Sequence, residues 1–259
     1  MKTLLPFLFL FFVALAAIAQ ETNYADLKVT TDSPQALQLF NQGIQDLNDV
    51  KIIEARENFD KALELDPEFM MANVMVAMRH YFDKNDQQFK TFANKAINSK
   101  AQLNESEKLL QEAMEKLVDN PQSDLTEYGE KLVELNPNSY FAHNVLANYQ
   151  QMAKDPEGAI QTYESMLSLT NKPAPVYNAL GYAYMAAKQM DKAKESFEKY
   201  IKADPDNANA YDSMGDYYAA TEDLKNAHQS YLKAYEMDST NFKVSHEKAE
   251  KLKQQMAEK

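Results

Sequence analysis

The chain has 259 residues, a formal net charge of −12, 45% hydrophobic and 25% charged residues, and no cysteine. That balance is ordinary for a globular chain long enough to bury a sizeable core, and it excludes disulfides, thiolate nucleophiles and cysteine metal sites. The acid excess, with Arg56 and Arg79 as the only arginines, leaves no basic stripe or guanidinium cluster for nucleic acid and disfavours anionic membrane surfaces.

At the N-terminus, Lys2 precedes an apolar run from Leu4 to Ile18, closed by Ala17-Ile18-Ala19 and then Gln20-Glu21. This is the three-part plan of a secretory signal peptide, cut after Ala19. A permanent anchor fits less well, because the run falls short of the ~20 apolar residues that span a bilayer. The expectation is an exported chain, periplasmic or extracellular, with no stable membrane anchor once residues 1–19 are removed. Residues 20–35, rich in Thr, Asp and Ser, read as a short polar leader into the first helix.

From there a period takes over. Gly43, Ala55, Phe59, Ala62 and Pro67 keep the same mutual offsets as Gly181, Ala193, Phe197, Tyr200 and Pro205. Residues 70–139 carry the pattern only faintly, and Pro67 and Pro137 lie 70 apart, two units plus two residues, which predicts a lengthened loop. Residues 140–173 restore it with Leu146-Ala147, Ala159, Tyr163 and Met166. Tyr177, Leu180, Gly181, Ala193 and Phe197 then recur 34 residues later as Tyr211, Met214, Gly215, Ala227 and Tyr231. Residues 242–259 place Phe242, Val244, Ala249 and Leu252 among Lys and Glu, the signature of a final capping helix. A fixed period of this length marks stacked helix pairs. Small residues let two backbones approach, aromatics fill the space left, and Pro with Asp or Asn ends one helix and caps the next.

These residues resemble the tetratricopeptide repeat family. The resemblance implies an all-α, right-handed superhelical solenoid of stacked antiparallel helix pairs, with six repeats over 36–241, of which 70–139 are degenerate. It also implies a concave groove lined by the first helix of each unit. Carried onto this chain, the groove positions give Phe40 and Ile44, then Met71, Val74 and Met78, then Leu110 and Met114, all apolar. They continue with Asn144 and Asn148, then Asn178 and Tyr182, then Asp212 and Asp216, which are polar to acidic. If the apolar stripe is groove, Phe40, Ile44, Val74 and Met78 stand exposed and contiguous; a shift of register in the degenerate repeats makes it internal core instead. The family's clamp for peptide carboxylates is not expected, since these positions supply no Lys or Arg and Asp212 and Asp216 would repel the group.

Catalytic chemistry is not legible. There is no Gly-rich phosphate loop and no His-Glu-x-x-His motif, and the four histidines are scattered without a second ligand or orienting group at useful spacing. No cofactor, metal or enzymatic activity is expected. The function expected is that of an exported scaffold or adaptor binding a protein or peptide in its groove; the alternative is a structural subunit of a larger envelope assembly with no separable ligand.

Overall fold

The computed structural model describes residues 23–257, so the apolar run at 4–18 and the cleavage site at Ala19 lie outside the described residues. Those described form thirteen helices and no strand. Six antiparallel pairs follow in order: α1 (Pro34–Asn48) with α2 (Ile52–Leu65), α3 (Met70–Phe82) with α4 (Asp86–Ile97), and α5 (Glu105–Asp119) with α6 (Thr126–Leu135). Next come α7 (Tyr140–Met152) with α8 (Pro156–Met166), α9 (Ala174–Ala186) with α10 (Met190–Ala203), and α11 (Ala208–Ala220) with α12 (Leu224–Met237). A last helix, α13 (Lys243–Ala257), packs on α12. Each helix packs chiefly on its chain neighbours. Odd-numbered helices also meet past the even one between them, α3 with α5 and α9 with α11, so they form the inner layer.

The small residues of the period set the pairing distance. A Cβ built on Gly181 would lie 2.3 Å from Cε1 of Phe197, and one on Gly215 or Gly43 would fall 2.6 Å from Tyr231 or 2.7 Å from Phe59. The aromatic of the second helix therefore occupies the volume a side chain on the first would need. Ala55, Ala159, Ala193 and Ala227, fully buried, provide the same clearance from the other side.

The turn inside each pair is equally regular. Val50, Lys84, Lys154, Lys188 and Glu222 all adopt left-handed backbone, with φ between 55° and 61°. In each turn the following residue donates its N–H back to the carbonyl five residues earlier, as Lys51 does to Asp46 and Gln189 to Tyr184, which closes a Schellman cap. Asn85, Asp155 and Asp223 then cap the next helix with their side chains. The third pair departs from this, joining α5 to α6 through the longer segment 120–125, and α4 to α5 through 98–104.

The leader is not simply a polar lead-in. Tyr24 and Leu27 are buried. Asp26 sits at the N-terminus of α7, where it accepts from the Ser139 hydroxyl and from the backbone N–H groups of Tyr140 and Phe141. Thr30 donates its N–H and hydroxyl to the two oxygens of Glu107, a fully buried carboxylate that also completes the capping box of α5. Tyr24 packs edge-on to Tyr140 at 4.7 Å and donates to the Lys172 carbonyl. Residues 24–31 thus run as a strap across the entry ends of α5 and α7, satisfying orphan helix donors.

Candidate functional site: an apolar cavity on the inner layer

On α3, Met71, Val74, Met75, Met78, Arg79 and Phe82 follow helical i, i+3, i+4 spacing, so one face presents them together. Opposite stands α7, presenting Phe141, Asn144, Val145 and Asn148, and Leu110 of α5 lies between. Leu47 of α1 and Ile52, Arg56 and Phe59 of α2 close the near end. Together they enclose a cavity of about 330 Å³, within the range of natural ligand pockets. Its floor is buried side chains, Met71, Val74, Leu110 and Phe141. At its rim, Ile52 is 40% and Phe82 59% exposed, large apolar groups left in water.

The rim also holds both arginines. Arg56 donates to Asp83 at 3.4 Å and Arg79 to Asp60 at 3.2 Å. Arg79 makes a second contact, to Nε2 of His80 at 3.2 Å. Guanidinium can only donate, so that nitrogen of His80 accepts and is unprotonated. Burial, and then the Arg79 charge, accordingly hold His80 below the usual imidazole value.

The structure divides the groove residues expected from sequence. Met71, Val74, Met78, Leu110, Asn144 and Asn148 come together around the cavity. Phe40, Ile44 and Met114 do not: they are 2–3% exposed and belong to the interhelical core, which corrects the expectation of an exposed stripe. The reason for Phe40 is aromatic cover, since Phe59 and Phe69 stand 5.8 and 5.1 Å from its ring centre. Val74, also expected exposed, is buried at the cavity floor, and Met78 is half-buried. The groove positions missed Ile52, Arg56, Phe82 and Val145. Ile52 and Arg56 lie on a second helix, which the groove rule leaves out; Phe82 and Val145 follow α3 and α7 residues at helical spacing, a signal the rule does not use.

Asn178, Tyr182, Asp212 and Asp216 lie apart from the cavity. Tyr182 and Tyr231 both donate to Asp216, at 2.8 and 2.7 Å, and Lys248 of α13 reaches Asp216 at 2.9 Å and Asp212 at 3.6 Å. Ser245 donates to Asp212. Burial raises the pKa of Asp212 against the opposing pull of Ser245 and Lys248, and burial with the Asp216 charge pushes both tyrosines well up. These carboxylates hold α13 in place. Among the described residues no group of three or more His, Asp or Glu is placed to hold a metal ion, and no helix is long and apolar enough to cross a membrane.

Tetratricopeptide repeat profiles match the sequence over residues 151–217 and 208–241. Residues 151–241 carry tetratricopeptide repeats. Among solved structures, a thermophilic tetratricopeptide protein of Thermus thermophilus, TTC0263, shares the fold at 16% identity, covering 83% of this chain and 97% of its own, with a TM-score of 0.51. Weaker likenesses include the MamA protein, at 23% identity over 67% of this chain and 94% of its own with a TM-score of 0.44. The Cut9–Hcn1 hetero-tetramer of APC/C matches at 20% identity over 84% of this chain and 42% of its own, TM-score 0.48. No curated protein matches the sequence. A tetratricopeptide array of this kind is a scaffold fold consistent with a protein-interaction adaptor.

Proposed function

We propose that this tetratricopeptide chain is an exported scaffold that holds an apolar segment of another protein in the cavity between α3 and α7. The carrying observation is the cavity itself: an apolar recess of about 330 Å³ on the inner layer of the first four repeats, rimmed by exposed Ile52 and Phe82. Three of its lining residues, Met71, Met75 and Met78, are unbranched thioethers that repack around varied partners. Export rests on the Leu4–Ile18 run and Ala17-Ile18-Ala19, and predicts a mature chain beginning at Gln20. The partner is then met in the periplasm or outside the cell.

A permanent place in a larger envelope assembly is the second reading, favoured by Ile53, Leu65 and Leu135, which are apolar and exposed away from the cavity. Photo-crosslinking in the native host separates the two. A crosslinker at Met78 should capture a protein while one at Leu135 or Lys194 does not. Capture at Leu135 alone would favour the assembly, and a silent Met78 would overturn the cavity reading. Retention of Met1 on membrane-bound protein would overturn cleavage after Ala19.

A further inference from the structure

We infer that the segment this cavity selects is an acidic one: apolar side chains for the recess, with carboxylates beside them for Arg56 and Arg79. The inference rests on the cavity being the binding site and adds the chemistry of its occupant. In a chain of net charge −12, both arginines stand at this one rim, each paired with one carboxylate, Arg56 with Asp83 and Arg79 with Asp60 just outside the lining. By contrast, the cavity around Tyr200 is lined by Asp49, Asp204, Asp206 and Asp238 against Lys51 alone. The arginines are also underused. Arg56 reaches Asp83 through one nitrogen at 3.4–3.5 Å, and Arg79 reaches Asp60 through one nitrogen at 3.2–3.3 Å. Charge-assisted pairs settle nearer 2.7–2.9 Å, and each guanidinium has five donors. Both carboxylate partners are half-exposed, so an incoming carboxylate meets arginines with donors to spare and weakly held partners.

A peptide suits the opposite wall better than a fatty acid does. The side chains of Asn144 and Asn148, one turn apart on α7, form no hydrogen bond within the described residues and offer amide groups that a peptide backbone pairs with and an acyl chain does not.

The test is fluorescence polarisation on the full mature chain with labelled peptide libraries of about twelve residues, alternating Leu or Phe with Glu, with Gln or with Lys. The Glu library should bind about tenfold more tightly than the Gln library and lose that advantage in added salt. The Arg56→Gln/Arg79→Gln double variant should bind Glu and Gln libraries equally, with an unchanged melting temperature marking it as folded. Equal binding of Glu and Gln libraries by the native chain overturns the acidic preference and leaves the cavity reading standing. Binding of any library that Met75→Asp/Met78→Asp does not weaken, in a folded variant, overturns both, as does no binding by any library. Dodecanoate displacing the Glu library from the native chain, with no effect of the Arg variant on peptide affinity, would assign the cavity to an acyl chain instead.

Discussion

At Gly181 a Cβ would lie 2.3 Å from Phe197 Cε1, deep in the contact between α9 and α10. In an open helix Gly→Ala stabilises by roughly 0.5–1 kcal/mol; here the ring must move, so Gly181→Ala should lower the melting temperature. Gly181→Leu should cost about 1–3 kcal/mol or more. Lys194→Ala, at a half-exposed side chain of α10 paired with Glu198, should stay within about 0.5 kcal/mol. Thermal unfolding of the three variants checks this, and equal shifts would contradict the packing. Asp212 gives a residue-scale test in pH. Its pKa is raised in the folded chain, so folding binds its proton more tightly than the unfolded chain does. The stability it contributes is therefore present at low pH and lost as pH rises through the raised folded value. Asp212→Asn should be at least as stable as the native chain at neutral pH, with the difference vanishing on acidification, because Lys248 keeps Asp216. A variant less stable than the native chain at neutral pH would contradict this sign.

At the scale of elements, the helix pairs were legible because each repeats the same physics at fixed spacing: Gly181 under Phe197 and Gly215 under Tyr231 are one contact made twice. The third pair was faint because its close approach is made differently, with Gly129 of α6 set against the Leu146 backbone of the next repeat, where a Cβ would lie 2.8 Å from Cα. The strap was not legible at all. Tyr24 and Leu27 form no period, and its long-range hydrogen bonds reach partners 35 to 148 residues away. Asp26 should matter most, since it takes the N–H groups of Tyr140 and Phe141 while the local Ser139 hydroxyl caps only that of Ala142. Asp26→Ala should cost about 0.5–2 kcal/mol and speed amide exchange in the first turn of α7, while Asp32→Ala should change neither. Exchange unaltered in α7 would show that the strap does not hold that helix.

At the scale of the whole molecule, the array does two kinds of work along its length. In the C-terminal half, the carboxylates of Asp212 and Asp216 are taken up by tyrosines and Lys248, joining α9, α11, α12 and α13 into one network. In the N-terminal half, α3 and α7 stand apart around an apolar recess. The location of that recess was readable from apolar residues at groove positions, but its boundaries were not. Whether Phe40 faces a groove or Phe69 depends on how the chain enters α3, and the rim residues Ile52 and Arg56 arrive from a helix the repeat rule assigns to the outside. The most direct measurement of the central claim is a methyl spectrum of methionine-labelled protein titrated with the apolar Glu peptide library. Met71, Met75 and Met78 should shift together and saturate, while Met190 and Met237, far along the array, stay fixed. Shifts confined to Met190 or Met237, or no shift at the α3 methionines while peptide binds, would contradict it.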